Sequence, residues 1–181
     1  VSETFHSEDS LPNRGVLERD MLQTEINLKR QELALDAIRS RTSLRADLVD
    51  LLTGRRKQSQ PNHIECDFVQ KDLNAEKKTA VLNAIGADDF FCLIGPPGTG
   101  KTKFIVELAL QNLMRGKRVL LCSQTHIGLD NALEKIAELN QANQYGFSIA
   151  RVGKREDDRI SPAAKELLAE YGVTDWLDEV A

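Results

Sequence analysis

Aromatic residues are scarce: one Trp, two Tyr and six Phe make up 5% of 181 residues. A surface built on many base-stacking platforms is thereby excluded. Cysteine is scarcer still. Cys66, Cys92 and Cys122 are odd in number and never spaced as CxxC, so neither a disulfide framework nor a zinc site fits. Cys92 and Cys122 lie inside apolar runs and are expected to behave as small buried hydrophobes. No apolar run approaches the ~20 residues of a membrane-spanning helix, and no basic-then-apolar leader opens the chain, so no secretion signal is expected. Charge of one sign is lacking too. The 24 Lys+Arg set against 28 Asp+Glu leave −4, which does not announce a nucleic-acid binder but leaves room for a local basic groove. These absences predict a soluble, cytoplasmic protein of a reducing compartment. The chain starts at Val1 rather than Met and stops at Ala181, which predicts a piece of something longer.

What is present suffices for a core, since 41% of residues are apolar. Residues 1–13 are polar, with Pro12-Asn13 as a breaker. From about Val16 to Ser40 the pattern is helical. Leu17, Met21, Leu28, Leu35 and Ile38 form one stripe; Leu22, Ile26 and Leu33 adjoin it. The stripes predict core packing, or a partner-binding coiled coil. Ser43 is placed to cap a shorter helix carrying Leu44, Leu48, Leu51 and Leu52, ending at Gly54. Gly54 to Asn62 is basic and polar, a solvated linker or a phosphate-contacting patch. We therefore expect a helical lead-in or stalk with a basic linker over 1–62, and a separate domain over 63–181.

Beyond Leu73 the character changes. Asn74 is placed to cap a helix running to about Ile85. The run Phe90-Phe91-Cys92-Leu93-Ile94 has the composition of a buried parallel strand. A helix from about Lys101 to Arg115, ended by Gly116, leads to a second such run, Val119 to Cys122. A helix over about Gly128–Leu139, a third run from Phe147 to Val152, and a helix start at Ser161-Pro162 complete the series. Strand and helix alternating in this way predict an α/β fold with a parallel sheet.

Gly95-Pro96-Pro97-Gly98-Thr99-Gly100-Lys101-Thr102 matches GxxxxGK[ST] at every fixed position, between an apolar run and an amphipathic helix. Glycines let the backbone close around an anion with its N–H groups turned inward. The following helix aims its positive end at the phosphates. Lys101 supplies a full charge to the β- and γ-phosphates, and Thr102 a hydroxyl for Mg2+. Triphosphate binding is the strongest inference the sequence carries. The loop by itself does not choose among kinases, GTPases, AAA+ machines and helicases, although the guanine motif NKxD is absent.

Two flanking stretches do choose. Leu73-Asn74-Ala75-Glu76-Lys77-Lys78-Thr79-Ala80-Val81 precedes the loop, and Ser123-Gln124-Thr125-His126-Ile127-Gly128-Leu129-Asp130-Asn131 follows the second run. With the phosphate loop, these resemble the up-frameshift-like branch of superfamily 1 helicases, in particular bacterial members with an AAA-type motor domain, over about residues 44–160. The resemblance implies a P-loop NTPase with a RecA-like parallel sheet, using ATP and Mg2+ and acting on single-stranded DNA or RNA. It implies nucleotide contacts from Gly95 to Thr102, catalytic parts for Lys101 and Thr102, and Mg2+ on Thr102. It also implies a nucleotide contact at Lys77, where the family's motif LNxxQxxAV carries a glutamine that reads adenine. Lysine has donors and no acceptor, so it cannot copy that bidentate contact. Ser123, Gln124, Thr125 and His126 match the motif that holds the sugar-phosphate backbone of a single strand, while Asp130-Asn131 read as shaping the turn or the start of the next helix. Arg151-Val152-Gly153-Lys154-Arg155 resembles a strand end leading into a nucleic-acid-binding insertion.

Relatives hydrolyse ATP with four apolar residues followed by Asp-Glu, and with a second RecA-like half bearing an arginine finger. Trp176-Leu177-Asp178-Glu179 is a poor copy of the first, because Thr174 and Asp175 break the apolar run. We therefore expect residues 63–181 to be the N-terminal part of a first RecA-like ATPase domain, truncated before the Asp-Glu motif. The parent would be an ATP-driven helicase or translocase, and this piece inactive in hydrolysis. The rivals are an AAA+ remodelling ATPase and a degenerate nucleotide-gated binding module.

Overall fold

A computed structural model of the chain describes residues 22–43, 45–96 and 98–169. The expectations for residues 1–13, for Leu17 and Met21, for Leu44 and for the 176–179 motif fall outside them. The chain divides into two compact units, 1–57 and 58–181.

The first unit holds α1 (Leu22–Arg39) and α2 (Leu48–Leu52). No Gly or Pro interrupts α1, which is rich in strong helix formers. Its apolar stripe is not core: Leu28, Leu33 and Leu35 are all more than half exposed. In α2 only Leu51 is buried. The cap of α2 is Asp47, whose carboxylate makes no capping bond to the first-turn N–H groups and instead accepts from Arg45 and Arg56. Ser43, expected to cap it, instead donates to the Arg45 carbonyl. What ties α1 to α2 is the bidentate fork of Arg41 onto Asp50, at 2.8 and 3.0 Å.

In the second unit the helices follow the sequence closely. They are α3 (Ala75–Gly86), α4 (Lys101–Met114), α5 (His126–Ala142) and α6 (Pro162–Glu166). Asn74 caps α3 through the Lys77 N–H, Thr125 caps α5 through the Gly128 N–H, and Ser161 caps α6 through the Ala164 N–H. Each cap satisfies an N–H that the first turn leaves unpaired. Gly116, at φ +71°, ends α4. The core lies where α4 meets α5, built from Val106, Ala109, Leu110, Ala132 and Ile136. Full burial of a side chain such as Leu110 stabilises by about 1.5–3 kcal/mol.

The expected buried strands differ from what is observed. Among the described residues, segments 90–94, 119–122 and 147–152 form no ladder. The isolated bridge is a parallel one, Arg151 with Leu168. Leu121, Phe147 and Ile149 pack on the core, and Phe91 stacks on Phe104 with ring centroids 6.2 Å apart. The alternate residues face outward: Ile94 is 96% and Leu120 76% exposed. Cys92 and Cys122 are exposed thiols rather than buried ones. The cause is one-sided cover. A continuous apolar run is buried throughout only when layers pack on both faces, and here α4 and α5 cover one. An apolar cavity of about 430 Å³ lies between these helices and segments 119–123 and 148–152, with Leu113, Leu133 and Ile136 in its wall.

Candidate functional site

The phosphate loop turns from segment 90–94 into α4. Gly98 and Gly100 hold φ of +78° and +82°, left-handed values that a side chain would strain. Gly100 is the cap residue of α4 and offers no side chain to its first-turn N–H groups. Those donors remain available to an anion, backed by the helix dipole. A Cβ on Gly95 would stand 2.8 Å from Thr99 Oγ1, so a larger residue there would displace the Thr99 side chain. Thr99 Oγ1 donates to the Pro96 carbonyl at 2.8 Å and closes the turn. Lys101 Nζ reaches back across the loop to the carbonyls of Gly95 and Pro96, at 2.6 and 2.7 Å. Its charge therefore stands at the loop rather than out in solvent. Thr102 is exposed at the first turn of α4, and Pro97 lies outside the described residues. Left-handed glycines, uncapped N–H groups and an inward lysine fit a triphosphate. The Thr102 hydroxyl fits Mg2+, a cation that takes oxygen ligands.

Lys77 stands beside the loop. Its backbone N–H is fixed by Asn74 Oδ1 at 3.0 Å. Its side chain lies over Gly100, with Cε and Nζ 2.8 and 3.3 Å from where a Cβ would stand.

Sequence reasoning missed what holds α4 in place. Glu107 is fully buried. One carboxylate oxygen accepts from the Val69 N–H at 2.9 Å and Gln111 Nε2 at 3.0 Å; the other accepts from the Gln70 N–H at 2.9 Å and Gln70 Nε2 at 3.2 Å. Gln70 Nε2 also donates to the Lys103 carbonyl at 2.8 Å. This clamp fastens the segment leading into α3 onto the helix that follows the phosphate loop. The signal was available: Glu107 and Gln111 are polar residues four apart on the buried face of an apolar helix.

The second centre is the start of α5. Ser123 Oγ accepts from the Thr125 N–H, and Thr125 Oγ1 from the Gly128 N–H, both at 3.2 Å. Gln124 is exposed and His126 half-buried. Asp130, read as shaping the turn or the start of the next helix, is buried and ion-paired with Arg151 Nε at 2.8 Å; its other oxygen accepts from the Ser161 N–H at 3.0 Å. Arg151 Nη2 stands 3.3 Å from His126 Nδ1. A guanidinium only donates, so Nδ1 is the side of the ring that accepts, while Nε2 lies 3.8 Å from Asp157 Oδ2. Asp157 is held well below the usual carboxylate range, first by the Arg159 side chain and then by the Arg159 N–H. No group of three or more His, Cys, Asp or Glu side chains among the described residues is placed to hold a metal ion. No described helix is long and apolar enough to cross a membrane.

Comparison with known proteins fits this geometry. A family model described as an AAA domain matches residues 72–179, more than half of the chain. The chain is 30% identical over 159 residues to the DNA polymerase alpha-associated DNA helicase A of Schizosaccharomyces pombe, covering 84% of this chain and 23% of that protein. It is 34% identical over 118 residues to the DNA-binding protein SMUBP-2 of Mus musculus, covering 64% and 12%. It is 33% identical over 118 residues to an uncharacterized ATP-dependent helicase of Methanocaldococcus jannaschii, covering 64% and 17%. The chain thus spans less than a quarter of the length of these relatives.

Proposed function

The chain belongs to the AAA-domain family of superfamily 1 helicases, and we propose that it supplies the ATP-binding portion of a nucleic-acid-dependent motor. The observation that carries this is the phosphate loop: two left-handed glycines, an α4 N-terminus without a side-chain cap, and Lys101 folded across the loop. The residues from Gly95 to Thr102 hold the triphosphate. Lys101 exchanges its two carbonyl acceptors for phosphate oxygens, which bind an ammonium more strongly because both partners are charged. Thr102 holds Mg2+, which when bound neutralises charge on the β- and γ-phosphates. We place segments 90–94, 119–122 and 147–152 as strands of a parallel RecA-like sheet. Support comes from their alternation with α4 and α5 and from the one-sided packing of Leu121, Phe147 and Ile149.

Ser123, Gln124, Thr125 and His126 form the contact with a single strand, DNA or RNA. Ser123 and Thr125 shape the start of α5, while Gln124 and the first-turn N–H groups meet the phosphates, a mode of contact that reads no sequence. The names of the relatives favour a helicase or translocase over a remodeller of proteins. Exposed free thiols at Cys92 and Cys122 suit a reducing compartment such as the cytoplasm.

Residues 95–102 bind nucleotide without by themselves turning it over, because hydrolysis also needs carboxylates that orient the attacking water and a cation that neutralises the γ-phosphate in the transition state. Titration calorimetry tests the first part: wild type binds Mg-ATP and Lys101→Ala does not, with unchanged circular dichroism. Equal binding by the two proteins refutes it. Phosphate release from the isolated chain that rises on adding single-stranded DNA refutes the second.

A further inference from the structure

We propose that Lys77 is a second phosphate-facing cation of the loop, and that the site consequently selects nucleoside triphosphates by their phosphate charge with little preference for the base. The inference rests on the reading of 95–102 as a triphosphate site and specifies what that site takes.

Placement comes first. The Asn74 cap sets the first turn of α3 so that Lys77 lies over Gly100, the residue from which α4 begins. The lysine stem packs where a Gly100 side chain would otherwise stand, and its ammonium ends 3.3 Å from that Cβ position. Lys77 is half-buried, its stem covered by this packing.

The neighbouring lysines are committed. Lys101 donates to the Gly95 and Pro96 carbonyls, Lys103 pairs with Asp72, and Lys78 lies over the Phe68 ring at 5.4 Å. No acceptor faces the Lys77 ammonium among the described residues. An ammonium beside the positive end of α4 and in the neighbourhood of Lys101 is repelled by both, and a polyphosphate relieves that repulsion. Chemistry then decides which part of a nucleotide it takes. Three donors and no acceptor suit phosphate oxygens. A purine edge that presents a donor beside an acceptor needs an amide, which lysine is not.

The test is titration calorimetry of the whole chain with ATP, GTP and inorganic tripolyphosphate, on wild type, Lys77→Gln, Lys77→Met and Lys77→Arg. Lys77→Met keeps the apolar stem and removes only the charge. Wild type should bind ATP and GTP within about threefold of each other. The Met variant should weaken all three ligands, and the Gln variant GTP and tripolyphosphate, by a common factor of about five to ten, the size expected for one partly exposed charge-assisted contact. Arg should restore binding to within about twofold. Unchanged tripolyphosphate affinity in both charge-removing variants overturns the proposal. So does an ATP-to-GTP ratio that moves in Lys77→Gln while tripolyphosphate does not, since that marks a base contact. Failure of wild type to bind any of the three overturns the triphosphate reading itself. Binding that is lost in Lys101→Ala but indifferent to Lys77 overturns this inference alone.

Discussion

Replacing Glu107 by glutamine changes one oxygen to an NH2 and almost nothing in shape, yet the surroundings make it costly. The carboxylate faces four donors, two at each oxygen. A glutamine amide can accept at one side only; the other side then sets an NH2 against two donors. The backbone N–H groups of Val69 and Gln70 cannot turn away. Gln111 cannot flip without losing the bond from its Nε2 to the Asp67 carbonyl, at 2.7 Å, and the one its Oε1 accepts from Arg115, at 2.9 Å. Gln70 would forfeit its bond to the Lys103 carbonyl. Two buried donors therefore go unsatisfied, each costing about 1–3 kcal/mol, which places the total at about 2–4 kcal/mol after local relaxation. At about 3 °C per kcal/mol for a chain of this size, the melting temperature of Glu107→Gln should fall by about 6–12 °C, and that of Glu107→Ala further, because all four donors lose their acceptor. Urea unfolding and thermal melts followed by circular dichroism measure this. A Glu107→Gln protein within about 0.5 kcal/mol of wild type, the range of ordinary surface substitutions, would refute the reasoning.

Other consequences are as direct. Asp130→Ala should cost about 3–5 kcal/mol in urea unfolding, because it leaves the Arg151 guanidinium buried and uncompensated; a loss under 1 kcal/mol would mean that the pair is not buried in solution. Gly86→Ala should destabilise by more than a surface change does, since the new Cβ would stand 2.2 Å from the Asn62 carbonyl oxygen, and amide exchange should show 58–62 released from the end of α3. Asp157 carries a pH signature. Its folded value lies below the unfolded carboxylate value of about 3.9, so its contribution is present above that value and lost as pH falls through the folded one. The melting-temperature gap between wild type and Asp157→Asn should hold from pH 7 to about pH 5 and shrink below about pH 4, whereas a gap that persists undiminished at pH 3 would contradict the assigned shift.

The helices of the second unit were legible because their signals are local. Asn74, Thr125 and Ser161 each satisfy an N–H within three residues, and Gly116 needs only its own left-handed φ. The cap at Thr125 nonetheless begins α5 two residues before the expected Gly128, because His126-Ile127 reads as loop until the threonine is recognised as a cap. Burial of the three apolar runs was not legible in the same way. A run such as Phe90 to Ile94 states what a segment needs, cover on both faces, and not what its neighbours provide. The alternation along 147–152, with Phe147, Ile149 and Arg151 turned to the helices and Ser148, Ala150 and Val152 outward, is the one-faced pattern that appears when a single helical layer supplies the packing. The stripe on α1 misled for the same reason: periodicity predicts a face, and Leu33 and Leu35 show that a face can remain exposed.

The two parts of the candidate site were legible to different depths, and the difference follows from where function is stored. In the phosphate loop it is stored in backbone conformation and one lysine. Residue type settles both, because glycine alone takes φ near +80° without strain. At the start of α5 the proposed strand contact would draw on side chains that already serve the fold. The Ser123 and Thr125 hydroxyls are spent within the turn, and His126 stands between Arg151 and Asp157, two residues far from it in sequence. A residue list of polar groups at this point predicts contact with a phosphate backbone, yet it does not distinguish the groups that hold the turn from those left to reach outward. That distinction required Asp130. Its carboxylate collects Arg151 and the Ser161 N–H and so joins the start of α5 to the third apolar segment and to α6. The same pair keeps the guanidinium against Nδ1, which leaves the histidine its Nε2 side alone. A strand bound at α5 would thus meet Gln124 and the first-turn N–H groups directly, and His126 only through an orientation that a buried ion pair sets.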